Sequence, residues 1–332
     1  MTNRWPAEWE RHERTWMAWP STGYSLGDTD EDVAEARGAW ASVANAIVTH
    51  EPVTMIVDPS AVAVAREWLD DRVTIVEAKL DDAWMRDMGP TFVKGPNDAV
   101  LGVDWIFNGW GAQSWATWEN DAEIARTVLG TANTPVISSS LTNEGGGIHT
   151  NGDGIVIVTE TVQLDPGRNP GWTRDEVERE LFDTLGATRF VWLPRGLTRD
   201  YDEFGTRGHV DIVAAFCNPT TVLYHDQRNP EHPDFAVSEQ VRTLLEAEGF
   251  DIIPVPAPDT LRDNEGFVDY SYINHYVCNN AVILCSFDDP GDEVAKGILE
   301  KAYPGRTVEL VDARALFARG GGIHCITQQQ PA

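Results

Sequence analysis

The chain has 332 residues, 42% of them hydrophobic and 23% charged, which allows one large or two ordinary globular domains with a sizeable core. Asp and Glu number 53 against 25 Lys and Arg, a net charge of −28. Such a surface repels phosphate backbones and anionic lipid and can draw cations inward, so it argues against nucleic-acid and membrane partners. Solubility or a high-salt habitat is the plainer reading of the same charge.

In chain order, apolar residues at three- and four-residue steps predict a first helix over 31–50, with Val33, Ala36, Trp40, Val43 and Ile47 on one face. A β-run at 53–57 follows, closed by Asp58 and Pro59. The helix-then-strand pattern recurs five times: 60–70 with 73–76, 119–130 with 135–138, 173–186 with 189–193, 234–249 with 251–255, and 291–303 with 307–311. Further strands are expected at 99–105, 154–159, 211–216, 220–225 and 280–286. From the second helix onward the units start 55–60 residues apart, roughly, which predicts a repeated α/β module. No Pro-, Gly- or Ser-rich linker divides the chain, so a single domain over 1–332 is expected. The opening residues lack an apolar h-region, and no run approaches a membrane span; a cytoplasmic protein is the expectation.

Four segments near expected strand ends mix glycine with reactive side chains. Gly145-Gly-Gly-Ile-His149 recurs literally as Gly320-Gly-Gly-Ile-His324, bordered by Glu144 in the first copy and Cys325 in the second. Three glycines in a row are tolerated where backbone approaches something closely or takes a positive φ. Cys325 sits beside such a turn, as an exposed reactive thiol would. Cys217, Cys278 and Cys285 lie in or beside β-runs and read as core packing. Sparse cysteines without CxxC spacing fit neither a disulfide framework nor a zinc site.

His209 and Asp211 form an HxD pair on an expected strand, which would turn both toward one face. Alone, the pair reads as a histidine oriented by an acid, an edge-strand polar pair, or two metal ligands. Trp84 and Asp87, in an acidic run with Asp81 and Asp82, are the residue types a planar guanidinium asks for: an aromatic face and a bidentate carboxylate. An acidic loop capped by Gly89 and Pro90 is the plainer reading. Neither a GxSxG elbow, a Walker-type loop nor GxGxxG spacing occurs, which disfavours serine-hydrolase, nucleotide-phosphate and dinucleotide chemistry.

In this order the set resembles the agmatine deiminase family of the guanidine-modifying, or pentein, superfamily, related to bacterial-type peptidylarginine deiminases. The resemblance spans nearly the whole chain: Trp16-Met-Ala-Trp-Pro20, Asp81 through Val93, Glu144-Gly-Gly-Gly with Asn151-Gly-Asp-Gly, Arg168-Asn-Pro170, Gly208-His-Val-Asp211 and the closing Gly-Gly-Gly-Ile-His-Cys-Ile-Thr-Gln-Gln-Gln-Pro331. It implies a five-bladed α/β propeller with pseudo-fivefold repeats around a central site, in agreement with the repeat period. It implies Cys325 as nucleophile, His209 as general acid and base, and Asp87 and Asp211 as grips on the guanidinium nitrogens. Glu144 would hold a substrate nitrogen and assist proton movement, and Trp84 would line the pocket. No metal or organic cofactor is implied; the partner is a small cationic guanidine, and homo-oligomerisation is left open.

One segment departs from the pattern. Where the family reads Asp-Glu-Thr-Asn-Gly-His, this chain has Asp202-Glu-Phe-Gly-Thr-Arg-Gly-His209, two residues longer and carrying Arg207. In the family this loop helps shape the pocket for agmatine's distal amine. A cation there would favour a carboxylate tail, as on arginine or a guanidino acid; a surface arginine paired with Asp202 or Glu203 is the alternative. The expected reaction is hydrolysis of agmatine to N-carbamoylputrescine and ammonia. Deimination of another guanidine, peptidyl-arginine included, comes next. An amidinotransferase and a non-catalytic pentein binding protein follow.

Overall fold

The computed structural model describes residues 3–332, so the first two residues of the domain expected over 1–332 lie outside the described residues. Fifteen of the sixteen described strands fall into five sheets by one rule. A short strand pairs antiparallel with a middle strand, and the middle strand pairs parallel with a third. Parallel neighbours need a crossover, and a helix supplies it each time. Ile124–Thr131 joins Val100–Ile106 to Val136–Thr142, and Arg174–Leu185 joins Ile155–Thr159 to Arg189–Leu193. Asp234–Ala247 and Gly291–Ala302 serve the next two sheets in the same way.

The remaining sheet is assembled from both ends of the chain. His12–Ala18 pairs antiparallel with the C-terminal Gln328–Pro331 and parallel with Val53–Val57, the helix Asp30–Ile47 crossing from His12–Ala18 to Val53–Val57. This join closes the set of five. The helix Val62–Trp68 and strand Thr74–Glu77 then add a fourth strand. The membership of the repeat therefore differs from the sequence expectation, though the count of five agrees: the units at 31–57 and 60–76 share one sheet, and the five modules centre on the middle strands. Short strands such as Ile148–Thr150 and Gln328–Pro331 were missed because three or four residues carry too little period to read.

Local chemistry explains the main helices. Thr29 caps Asp30–Ile47 in a reciprocal box with Asp32, and Thr173 does the same for Arg174–Leu185 with Glu176, each cap contributing about 1 kcal/mol. Strand Val53–Val57 is apolar on both sides apart from Thr54 and is buried throughout. Trp16, Trp19 and Trp40 are fully buried in the largest core cluster, which reaches Cys325. Among the described residues no helix is long and apolar enough to cross a membrane.

Candidate active site

The residues singled out from separate modules meet in one buried place. Cys325 lies in the single turn His324–Ile326, directly after the second glycine triplet. Its Sγ is 3.2 Å from Asn274 Nδ2 and 3.5 Å from Asp211 Oδ2. The triplet lets backbone pass where no side chain fits: a Cβ on Gly321 would stand 2.6 Å from the Trp84 ring and 3.1 Å from Sγ. The first triplet does the same on the other side. A Cβ on Gly146 would stand 2.5 Å from His209 Nδ1, and its N–H donates to Asp87 Oδ1 at 3.3 Å.

His209 and Asp211 are not on a strand, contrary to the sequence expectation. His209 precedes a 3-10 turn, Val210–Ile212, and the strand begins only at Ala214. Buried Asp200 is the reason. Its carboxylate accepts the N–H groups of Thr206, Gly208 and His209, at 2.6, 2.6 and 3.1 Å, which binds the approach into a closed loop. The turn still delivers both side chains to the site. His209 Nε2 lies 3.2 Å from Glu144 Oε2, and Nδ1 lies 3.8 Å from Asp87 Oδ1. Among the described residues His209 Nδ1 and Asp211 Oδ1 have no hydrogen-bond partner, although both are buried. Buried polar atoms of this kind find an ordered water or a bound molecule as partner.

Glu144 is held from behind. Both its oxygens accept from Arg168 Nε at 3.0 Å; Arg168 also donates to Asp165 at 2.8 Å and to the Thr206 carbonyl at 2.7 Å. This leaves Glu144 addressed to the imidazole of His209. Trp84 immediately precedes the short helix Met85–Met88 that carries Asp87, and its ring is buried beside Gly321.

The charges follow from burial. Desolvation, with Glu144 and Asp211 nearby, pushes the Asp87 carboxyl up to about 6. Burial opposes ionisation of Glu144 and Asp211 too, but Arg168 with His209, and His324 with His209, hold them below the usual carboxylate range. Burial alone would depress His209; Asp87 and Glu144 outweigh it and raise it to about 9. The Cys325 thiol is pushed well up by burial and by Asp211 and Asp87. Burial also raises Cys217 to about 11 and Cys285 to about 12, so acidity does not single out Cys325. Its neighbours do.

Several contributors escaped the sequence reading. Asn274 donates to Sγ and to the Asp211 carbonyl. Trp110 Nε1 donates to Asp87 Oδ2 at 2.9 Å from a strained turn in which Gly109, Trp110, Gly111 and Ala112 all have positive φ. The Asn108-Gly-Trp-Gly stretch, with two glycines around a tryptophan, was the available signal. Asn274 left none. Arg207 is half-exposed, with positive φ, and its guanidinium approaches Asp165 Oδ2 at 3.8 Å rather than Asp202 or Glu203. A cavity of about 320 Å³ adjoins this loop, lined by Asp200, Asp202, Glu203, Phe204, Asp269 and Gly320 among others. Among the described residues no group of three or more His, Cys, Asp or Glu is arranged to hold a metal ion.

Comparison with known proteins agrees with this architecture. The model of the Porphyromonas-type peptidyl-arginine deiminase family matches residues 4–331. A Streptomyces coelicolor protein provisionally named an agmatine deiminase is 58% identical over 338 residues, covering 100% of this chain and 99% of the relative. The agmatine deiminase of Stutzerimonas stutzeri is 37% identical over 356 residues, covering 98% and 95%. The solved agmatine deiminase of Enterococcus faecalis superposes with a TM-score of 0.91 at 28% identity, covering 99% of this chain and 96% of that one. With five α/β modules and these relatives, the chain belongs to the Porphyromonas-type peptidyl-arginine deiminase family and has its mixed α/β pentein fold.

Proposed function

We propose that this protein hydrolyses the guanidinium group of a small cationic substrate, agmatine first, to a ureido product and ammonia. The convergence of Cys325, His209, Asp87, Asp211 and Glu144 in one buried site carries the reading. The relatives named for agmatine deimination support it.

In this proposal Asp87 and the free Oδ1 of Asp211 take the guanidinium nitrogens and set its carbon against Sγ, and such positioning supplies much of the rate. The acids that hold the thiol protonated at rest are offset when the cation arrives, so the thiol gives its proton to solvent and thiolate forms with substrate bound. Sulfur adds to the carbon. His209, already protonated at neutral pH, gives its proton to the departing nitrogen, and ammonia leaves an S-alkylthiouronium on Cys325. Neutral His209, steadied by Glu144, then takes a proton from the attacking water, and the ureido product departs with the thiolate restored.

The substrate's tail follows from the surroundings of the altered loop. Asp165, already paired with Arg168, lies 3.8 Å from Arg207, and in the adjoining cavity the carboxyl groups of Asp200, Asp202, Glu203, Glu265 and Asp269 outnumber the one guanidinium, Arg199, which supports a cationic tail over the carboxylate of arginine. An ammonia-release screen over agmatine, arginine and guanidinobutyrate, with Cys325→Ser as control, tests both parts. Release greatest with agmatine and absent in the control is expected. Release from none of the three would sink the reaction class. Preference for guanidinobutyrate that Arg207→Ala abolishes would reverse the assignment of the tail.

A further inference from the structure

Glu8 and His324, which have no part in the chemistry above, form a buried line that ends on Asp211. His324 Nδ1 lies 2.8 Å from Asp211 Oδ2, and its Nε2 lies 2.8 Å from Glu8 Oε2. Glu8 belongs to the segment ahead of the first strand, 316 residues away in sequence. It is fixed in turn: Oε1 accepts the Val277 N–H at 2.7 Å, and Arg86 Nη2 donates to Oε2 at 3.4 Å. Arg86 also donates to the His324 carbonyl and to Gln328 and Gln329.

A neutral imidazole has one N–H and cannot donate to two carboxylates; two at 2.8 Å from opposite nitrogens call for an imidazolium. The other charged and titratable groups around His324 are Arg86, which opposes that charge, and His149 and His275. Burial pushes those two rings down to about 3 and about 4, so they stay neutral. Cys325 follows His324 directly. Two cavities of about 10 Å³ each, the size of roughly one water, flank the line and share Glu8, His149 and His324. The geometry has two consequences. Asp211 Oδ2 is committed to His324, so only Oδ1 remains for a ligand. The carboxylate closest to Sγ also shares its charge with a cation, which lessens its opposition to the thiolate.

We propose that Glu8 and His324 are positioning residues of the deiminase reaction: the imidazolium of His324, anchored by Glu8, turns the free oxygen of Asp211 toward the guanidinium and shields Cys325 from that carboxylate's charge. This rests on the deiminase reading. Glu8→Gln removes the anchor's charge but keeps its shape. Without that charge His324 loses its proton at lower pH, so activity survives on the acid side and fails earlier as pH rises. Expected is kcat/KM for agmatine near the wild-type value at acid pH, with the alkaline limb moved down by about one pH unit or more.

An equal loss at every pH, or an unchanged profile, overturns the proposal, because a purely structural role predicts no pH-dependent rescue. Long-range ¹H–¹⁵N spectra of the wild-type histidines need neither turnover nor a variant. They should show both ring nitrogens of His324 protonated at neutral pH. A neutral ring at His324 in an active enzyme overturns the positioning role alone, whereas a wild-type protein inert toward every guanidine sinks the deiminase reading and this proposal with it.

Discussion

Replacing Asp87 by Asn should stabilise the fold while destroying activity. The carboxyl is buried and lies among acids, and its folded-state value of about 6 stands above the ordinary 3.8. Ionised at pH 8, it opposes folding by about 3 kcal/mol; at pH 5, where it is mostly protonated in the folded state, by roughly half that. The sign follows from proton uptake: between the two values the folded state binds more protons than the unfolded one, so this group's contribution worsens as pH rises. Asn removes the charge and keeps an oxygen for Trp110 Nε1. With an unfolding entropy of about 2.1 cal/mol/K per residue, the midpoint should rise by about 4 °C at pH 8 and by about half as much at pH 5. Calorimetry at both pH values, beside ammonia release, reads the effect. A variant no more stable at pH 8 than wild type, or a gain equal at both pH values, would refute the charge argument.

Other outcomes follow from the same geometry. Arg168→Met leaves Glu144 and Asp165 without their buried cation and should cost about 3–5 kcal/mol, read as a fall in denaturant midpoint; a midpoint within error of wild type would contradict the pairing. Asn274→Ala removes a donor 3.2 Å from Sγ and should slow alkylation of Cys325 by a haloacetamidine about tenfold, a charge-assisted hydrogen bond being worth about 1.5–3 kcal/mol; undiminished labelling would exclude that contact. Because His209 is raised to about 9, kcat should fall as pH climbs through that value, and the stability His209 contributes, complete below about 6.5, should be lost over the same rise. A limb near 6.5 would mean that Asp87 and Glu144 do not hold the proton.

Much of the site was legible because its chemistry is carried by rare residue types beside glycine. The two GGGIH turns and the HxD pair lie on different modules, and the fold brings them together. What the residues alone could not give is the loop before His209. Asp200 gathers three N–H groups there and makes a turn where alternation suggested a strand. Asn274 and Trp110 stayed hidden for another reason: each acts on residues far away in sequence, and such contacts have no period or spacing. The five-unit count was found with the wrong members. The module closed by Gln328–Pro331 against His12–Ala18 joins the two ends of the chain, which a linear reading does not juxtapose.

The central claim is that the guanidinium carbon bonds to Cys325. Rapid quenching of the enzyme with agmatine in acid, followed by intact-mass and peptide analysis, tests it most directly. An adduct of agmatine less ammonia, confined to Cys325 and formed as fast as turnover, is the expected result. Ammonia release by the Cys325→Ser protein at the wild-type rate, with no adduct on Cys325 in the wild type, would contradict it.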